Sequence, residues 1–178
     1  MRSGGIGGLQ IIPNPTGGIT SSGGLMSVFV ASATISQQLT NVPALINFDT
    51  DASGNFGYMT RTGNAFNVVV GGTYLAIFEP QVSQQKNNNV TSFWINKNGV
   101  AVPNSAAIYE AAAIGDNNVV SLTFSGVLQP GDVLTFSGLT SVVVGSQLLA
   151  SPAAPPVPSI SACQVLIQGF RTGTTPTT

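Results

Sequence analysis

The sequence predicts an all-β sandwich of about eight to ten antiparallel strands. Short runs rich in valine, isoleucine, phenylalanine and threonine, which favour strands, recur along most of the chain. Glycine, proline and asparagine, which favour turns, separate these runs. Helical patterns are nearly absent, and the one candidate, Ser105–Ala113, has only about two turns and is too short to be stable alone. Many short strands joined by tight turns favour a sandwich or a barrel.

The strands are assigned in chain order from apolar runs and from alternation of apolar and polar residues. They are Ser27–Ile35, Phe66–Val70, Tyr74–Phe78, Val90–Asn96, Val119–Phe124, Val133–Phe136, Val142–Val144 and Ala162–Phe170. Core packing is the expected role of the strand aromatics, which are Phe66, Tyr74, Phe78, Phe93, Trp94, Phe124 and Phe136. Adjacent Phe93 and Trp94 must nevertheless point to opposite faces of a regular strand. We therefore expect both faces of that strand to be covered, one by the core and the other by a second subunit.

One domain with two flanking segments is the predicted organisation. Residues 1–26 form a Gly/Pro-rich N-terminal arm, residues 27–171 the sandwich, and residues 172–178 a polar, Thr-rich tail. The four prolines of Ala150–Pro158 indicate a loop rather than a linker between domains, because the strand that follows is needed to complete the sheet.

The N-terminal arm has two interpretations. Pro13 and Pro15 exclude a helix across its middle, and paired glycines punctuate the rest. The arm is either a flexible leader, as is common at chain ends, or a segment that becomes ordered along a neighbouring subunit. In the second case Leu9, Ile11 and Ile12 would supply the apolar contacts.

The charged fraction is the main departure from an ordinary domain, because charged residues make up 6% of the chain, where about 25% is typical. Five basic and six acidic residues leave a formal net charge of −1, so little repulsion keeps copies apart. The hydrophobic content of 43% excludes disorder through charge excess. We expect copies of the chain or a larger assembly to cover most of the surface; a soluble, near-neutral single domain is the alternative.

Nucleic-acid binding and membrane insertion are both disfavoured. The basic residues are scattered singly and form no patch that could neutralise phosphates; they are Arg2, Arg61, Lys86, Lys97 and Arg171. No stretch of about 18 apolar residues is present, so no transmembrane helix is expected. The N-terminus also lacks the continuous apolar run of a secretory signal.

No catalytic, cofactor-binding or metal-binding residue is predicted, and we expect the chain not to be an enzyme. The absence of histidine removes the Ser-His-Asp and Cys-His arrangements and the usual zinc ligands. The single cysteine, Cys163, lies in an apolar alternation and is expected to be a buried, inert thiol. Four acidic residues are isolated in sequence, namely Glu79, Glu110, Asp116 and Asp132. A catalytic carboxylate pair would therefore have to arise through folding.

One segment matches the first half of a calcium-binding loop. Asp49, Asp51 and Ser53 place oxygen atoms at alternate positions, and Gly54 allows a sharp turn. The twelfth position is Thr60 rather than the bidentate glutamate of such loops. A polar turn is the expected role, and weak calcium binding by Asp49 and Asp51 is left open.

Asn89-Val90-Thr91 matches the sequence pattern for N-glycosylation. It follows Lys86-Asn87-Asn88, which we expect to be an exposed loop. The pattern also occurs often by chance, so modification of Asn89 is left open.

Six short elements occur in an ordered series along the chain. They are Ile46-Asn47-Phe48-Asp49, Thr62-Gly63-Asn64-Ala65-Phe66, Gly72-Thr73-Tyr74, Lys97-Asn98-Gly99, Gly131-Asp132-Val133 and Val165–Phe170. Asn98-Gly99 also suits a two-residue hairpin turn, and Pro130-Gly131-Asp132 suits a type II turn. In this order, the elements resemble the C1q/TNF-like superfamily of jelly rolls. The extra residue near Asn64, the scarcity of charge and the proline-rich insertion make the chain similar only to remote members.

The resemblance implies a single jelly-roll domain that assembles with copies of itself, since members of the superfamily usually form trimers. Two kinds of remote relative share the low-charge, Gly/Thr-rich character: shell, vertex and spike proteins of large viruses, and bacterial spore-surface proteins. The spore proteins generally carry a collagen-like repeat before the domain, and no Gly-x-y repeat is present here. The virion is therefore preferred as the location.

The predicted function is a non-enzymatic, self-associating jelly-roll subunit of a virion shell, vertex (penton) or spike, such as a minor capsid protein. Its expected partners are itself, as a trimer or pentamer, and neighbouring assembly proteins, with no nucleic acid and no cofactor. The alternatives are a spore- or cell-surface fibre and a carbohydrate- or protein-recognition module. The module would bind through loops such as Lys86–Asn89 or Ala150–Pro158. A hydrolase on a jelly-roll scaffold is the third possibility.

Overall fold

A computed structural model describes residues 26–52, 57–152 and 158–170, and every regular element among them is a β-strand. In chain order the strands are β1 Met26–Ala33, β2 Gln37–Leu39, β3 Ala44–Leu45, β4 Thr50–Asp51, β5 Met59–Thr62, β6 Ala65–Val68, β7 Gly72–Gln84, β8 Asn89–Lys97, β9 Val100–Ala101, β10 Ala107–Ala111, β11 Asn117–Val119, β12 Leu122–Leu128, β13 Val133–Thr140, β14 Ser146–Leu148 and β15 Cys163–Phe170. All of their pairings are antiparallel. The predicted all-β class is confirmed.

The strands form two sheets that pack as a sandwich. Sheet I contains β1, β2, β4, β7, β11, β12, β14 and β15, and sheet II contains β3, β5, β6, β8, β9, β10 and β13. The long strand β7 lies at the centre of sheet I, with β12 and β11 along one edge and β15 and β14 along the other. In sheet II, β13 lies between β8 on one side and β6 and β3 on the other.

Phenylalanine side chains from both sheets meet in the core. Phe66 and Phe136 come from sheet II and Phe78 from sheet I, while Phe48 precedes β4; all four are buried. The ring centroids of their contacting pairs lie 4.8 to 6.1 Å apart. Aromatic pairs at such distances add roughly 0.5–1.5 kcal/mol each beyond the burial of their surface. This cluster holds the sheets together and supports the outward face of each one.

Two predicted turns are confirmed by their backbone angles. Asn98 and Gly99 join β8 to β9 with φ of 53° and 78°, as a two-residue hairpin of this sequence requires. Gly131 has φ of 88° between β12 and β13, which suits the third position of a type II turn. Glycine or asparagine is needed at these positions because other side chains are strained at positive φ.

The helix considered at Ser105–Ala113 is absent, since residues 107–111 form strand β10, which pairs with β8. Alanine favours helix locally, but so short a helix would not outweigh the hydrogen bonds that the sheet edge offers. The interaction is tertiary, and a local pattern cannot report it.

The strand expected at Val142–Val144 is also wrong. These residues lie in a turn, Val144 has φ of 55°, and all three side chains are exposed. The strand expected at Val119–Phe124 is two strands, β11 and β12, interrupted at Val120 and Ser121. Valine content favoured a strand in both places, but it does not show where the chain must turn to reach the next element.

Candidate assembly surface

The outward side of sheet I carries a contiguous aliphatic surface. We call it the aliphatic face and define it by Val28, Val30, Leu75, Ile77 and Leu166, with Val127 and Phe170 at its border. Strand register pairs Leu166 with Val30 on one side and with Ile77 on the other, which makes one row across three strands. Leu75 and Val28 belong to the next row, on either side of Gln168. The five central side chains are only partly buried.

The aliphatic face is almost free of charge. Glu79 is the one charged residue in β1, β7, β12 and β15, and its row neighbour is the neutral Gln164. Covering apolar surface is favourable by about 25 cal/mol per Å², and contiguous exposed apolar patches mark interaction sites. The surface is therefore suited to contact with another protein surface. The continuous apolar run of β7 is the sequence signal, because a strand covered on one face only would alternate.

The outward side of sheet II is different in composition. We call it the tryptophan face and define it by Leu45, Trp94, Asn96, Thr135 and Ser137. Register places Leu45, Ser137 and Trp94 in one row and Thr135 beside Asn96 in the next. Trp94 points away from the core and is partly exposed, whereas Phe93 is fully buried.

The predicted opposition of Phe93 and Trp94 is therefore confirmed. The expectation of a core role is wrong for Trp94, because it lies on the outer surface of the sheet. Among the other strand aromatics, Phe124 packs at the margin of the core, and the remaining five are buried.

A ladder of hydrogen bonds runs across the tryptophan face. The indole Nε1–H of Trp94 donates to Asn96 Oδ1 at 3.0 Å. Asn96 Nδ2 donates in turn to Ser137 Oγ at 2.8 Å and to Thr135 Oγ1 at 3.3 Å. Asn96 and Ser137 are only 7% and 5% exposed although they face outward. The ladder was not among the features predicted from the sequence; Ser92 and Asn96, the polar residues two positions either side of Trp94, were the available signal.

A second polar cluster, which we call the amide cluster, joins the two sheets at the end of the β7–β8 hairpin. It consists of Gln84, Asn89, Thr91 and Ser146, each with no exposed surface. Asn89 Nδ2 donates to Gln84 Oε1 at 2.8 Å and to Ser146 Oγ at 2.7 Å. Ser141 Oγ donates to Asn89 Oδ1 at 3.0 Å.

This environment decides against modification of Asn89, which the sequence left open. Residues 86–88 are exposed, but the Asn89 side chain is buried as β8 begins. The amide nitrogen that a glycan would occupy is enclosed and already donates two hydrogen bonds. The folded chain leaves no room for a sugar at this position.

The possible calcium ligands have other partners. The Asp49 carboxylate accepts hydrogen bonds from the Thr34 backbone N–H at 2.9 and 3.0 Å and from the Thr50 hydroxyl at 2.8 Å. Partial burial raises the pKa of Asp49, but these hydrogen bonds outweigh it and lower the pKa overall. Asp51 forms an ion pair with Arg61 at 2.5 Å. The Asp49 carboxylate therefore ties the segment before β4 to the end of β1, and the Arg61 guanidinium lies beside Asp51, where a bound cation would be needed.

Among the described residues, no group of three or more histidine, cysteine or acidic side chains could hold a metal. Ser53 and Gly54, the other expected members of the loop, lie outside those residues.

Cys163 and Asp132 have the clearest electrostatic environments. Burial raises the pKa of the Cys163 thiol to about 12, so the predicted buried thiol is confirmed. Hydrogen bonds from the Gln129 backbone N–H, Lys97 and Asn98 lower the pKa of Asp132 to about 2. The Lys97 Nζ–Asp132 Oδ2 distance is 2.8 Å. Both side chains support the fold. Within the described segments, no helix is long and apolar enough to span a membrane.

Comparison with solved structures supports the jelly-roll assignment. The chain is similar to murine APRIL in crystals at pH 5.0, with a TM-score of 0.52 and 11% identity over 82% of this chain and 99% of that one. Murine APRIL crystal structures at pH 8.5 and pH 8.0 each give a TM-score of 0.50 with 12% identity over the same shares. No protein-family model and no curated protein matches the sequence. At this identity the likeness shows the fold alone: the chain has a jelly-roll fold similar to that of these structures.

Proposed function

We propose that the chain is a non-enzymatic structural subunit that associates with copies of itself through the aliphatic face. The observation that carries the proposal is the neutral aliphatic surface centred on Leu166 and Ile77. Its side chains are partly exposed and lie in register across three strands. A second copy would remove this surface from water without placing a charge in the contact. The scarcity of charge over the whole chain supports the same conclusion.

A structural role also agrees with the distribution of reactive groups. The chain has no histidine, and the thiol of Cys163 is enclosed and held protonated. Asp49, Asp51 and Asp132 are each engaged in hydrogen bonds or ion pairs within the fold. We therefore propose that the molecule performs no catalysis.

The proposed setting is a virion shell, vertex or spike, in which the chain would form a trimer or pentamer and contact neighbouring assembly proteins. The N-terminal arm lies outside the described residues, except for Met26. Strand β1 begins at Met26, paired with Phe170 at the border of the aliphatic face. We propose that the arm, which precedes Met26 in the chain, contacts a subunit bound to that face. A fibre on a spore or cell surface is the alternative setting and would use the same contact.

Light scattering of purified chains tests the proposal through Leu166→Glu. We expect the wild type to be an oligomer and the variant a monomer, because an unpaired charge buried in a contact costs roughly 3–5 kcal/mol. Ile108→Glu is the matched control, since Ile108 is 64% exposed on β10 of the other sheet and should leave the mass unchanged. A monomeric wild type, or a Leu166→Glu variant that keeps the oligomeric mass, would contradict the proposal.

Removal of residues 1–25 distinguishes the contribution of the N-terminal arm to assembly from that of the aliphatic face. We expect the closed oligomer to remain and larger assemblies, seen as sheets or fibres by negative-stain microscopy, to disappear. Loss of the closed oligomer itself would show that the arm supplies the main contact. Identical large assemblies before and after removal would show that the arm has no part in assembly.

Recognition of a carbohydrate or protein is the second candidate function. The loops first considered for it give little support, because Asn89 is buried and most of Ala150–Pro158 lies outside the described residues. The observation that favours recognition is the tryptophan face, where polar groups are held in place around a partly exposed indole.

A further inference from the structure

We infer that the tryptophan face binds a neutral carbohydrate chain, with the indole of Trp94 as the stacking surface. This site is on the opposite side of the molecule from the aliphatic face. The inference does not depend on self-association, and it assigns a ligand class to the recognition role considered above.

The hydrogen bond of Trp94 sets the orientation of its ring. The acceptor, Asn96 Oδ1, belongs to the residue two positions along the same strand, on the same side of the sheet. An indole that reaches this acceptor lies along the strand instead of standing upright from the sheet. One side of the ring then faces the sheet and the other faces solvent, in agreement with its partial exposure. The negative potential of an aromatic face attracts the positively polarised C–H groups of a sugar ring.

Hydroxyl groups beside the indole supply polar contacts. Ser137 is the register partner of Trp94, on a strand about 4.8 Å away, and Thr135 is the partner of Asn96. Both hydroxyls accept a hydrogen bond from Asn96. Ser137 is buried, whereas Thr135 is partly exposed, so the Thr135 hydroxyl is the one whose hydrogen can be donated to a ligand. A sugar hydroxyl group can accept this hydrogen bond. Because the ladder already fixes the side chains, they would lose little conformational entropy on binding.

The charge of the face selects a neutral ligand. Its rows contain leucine, serine, tryptophan, threonine and asparagine, and register adds the neutral row Leu139, Ser92 and Ile108. Lys97, the one charged residue of β8, is paired with Asp132 at 2.8 Å. Recognition of sulfate, phosphate or carboxylate groups needs cationic donors, and this face presents none. The partly exposed hydroxyl of Thr135 also favours a hydroxylated ligand over an apolar protein surface.

Trp94 is the only tryptophan in the chain, so its fluorescence reports on this site alone. The probe is cellohexaose, whose equatorial substituents leave flat C–H surfaces on each ring. We expect a saturable shift of the emission to shorter wavelength, with half-saturation in the roughly millimolar range or below. Sulfated cellohexaose should produce a much smaller change. The titration is repeated with Leu166→Glu, the variant expected to be a monomer. Failure of the self-association proposal and failure of the sugar site can then be told apart.

Calorimetry on three variants of the site and one control variant completes the test. Trp94→Ala should weaken binding roughly tenfold or more, and Trp94→Phe should weaken it less because a ring remains. Thr135→Ala should weaken binding by roughly two- to tenfold, as expected for one hydrogen bond. Thr123→Ala is the matched control, since Thr123 is exposed in β12 of sheet I, and it should bind as the wild type does. If Trp94→Ala does not fold, Thr135→Ala and the wild-type titration still test whether the tryptophan face binds the sugar.

Four results would overturn the inference. They are an emission spectrum that cellohexaose does not change, equal binding of sulfated cellohexaose, undiminished binding by folded Trp94→Ala, and an emission shift that follows protein concentration instead of sugar. The last result would show that a second copy of the chain covers the tryptophan face.

Discussion

The aliphatic face and the tryptophan face cover the two sides of one core, and both are nearly neutral, yet they are built differently. The side chains at the centre of the aliphatic face are hydrocarbon and depend on packing alone. On the tryptophan face, Trp94, Asn96, Ser137 and Thr135 satisfy one another through hydrogen bonds. The first surface gains free energy only when another surface covers it. The second is satisfied within the monomer and leaves the hydrogen of the partly exposed Thr135 hydroxyl for a ligand.

This difference arises from what each strand places outward. Strand β7 presents Leu75 and Ile77 outward and Ala76 and Phe78 to the core, so both of its sides are apolar. Strand β8 presents Trp94 and Asn96 outward and Phe93 and Ile95 to the core. The two strands contribute similarly to the interior and differently to the exterior. Stability and binding should therefore respond differently to changes on the two faces.

The largest effect is expected at the amide cluster, which joins the two sheets at the end of the β7–β8 hairpin. Asn89→Ala removes the hydrogen bonds to Gln84, Ser146 and Ser141 and leaves buried polar groups without partners. We expect a loss of about 3 kcal/mol of unfolding free energy, measured by urea denaturation. Lys86→Ala in the exposed preceding loop is the control and should change little.

Because the amide cluster joins the two sheets, its loss should weaken self-association and cellohexaose binding together. If Asn89→Ala weakened only one of these two interactions, the two faces would not both depend on the amide cluster. A denaturation midpoint equal to that of Lys86→Ala would show that the cluster contributes little to stability.

An intermediate effect should distinguish the faces directly. Asn96→Ala removes a donor and an acceptor from the ladder and should cost about 2 kcal/mol of monomer stability. Leu75→Ala on the aliphatic face should cost less than about 1 kcal/mol, because its side chain is only partly buried before association. Urea denaturation in the Leu166→Glu background measures both without a contribution from assembly. A larger loss of unfolding free energy for Leu75→Ala than for Asn96→Ala would contradict the proposed difference between the two faces.

The smallest effect concerns acid stability. The pKa of Asp132 is lowered to about 2 by hydrogen bonds from Gln129, Lys97 and Asn98. A carboxyl with a lowered folded-state pKa stabilises the fold above its unfolded value, near 3.9, and this contribution is lost as the pH falls toward about 2. Asp132→Asn should therefore cost about 1 kcal/mol at neutral pH. The difference in Tm from the wild type should shrink between pH 4 and pH 2.

Glu79→Gln is the matched control for Asp132→Asn. The Glu79 side chain is exposed on the outward side of sheet I and makes no side-chain hydrogen bond or ion pair with another described residue, so Tm should not change. The Tm difference between Asp132→Asn and the wild type could instead be independent of pH. That result would show that the contacts of Asp132 stabilise the fold without depending on the ionised carboxylate.

Much of the fold was predictable because its signals are local. Residues such as Asn98 and Gly99 specify a hairpin through the backbone angles they tolerate. The apolar strand of residues 163–170 is readable from its own composition. The failures share one cause. Residues 107–111, the turn at Val144 and the burial of Asn89 depend on elements distant in sequence, such as β8, Ser141 and Ser146.

By itself, the sequence determined the all-β class, the order of the strands, the main turns, the near-neutral surface and the opposition of Phe93 to Trp94. These follow from backbone preferences and from the alternation of side chains along a strand. Tertiary structure alone decided which residues became neighbours. Strand register set Leu166 between Val30 and Ile77, and it set Ser137 beside Trp94. Register depends on pairing between distant segments, and a shift of one residue would exchange the inward and outward sides of a strand. For that reason the two faces could be identified only once the sheets were formed.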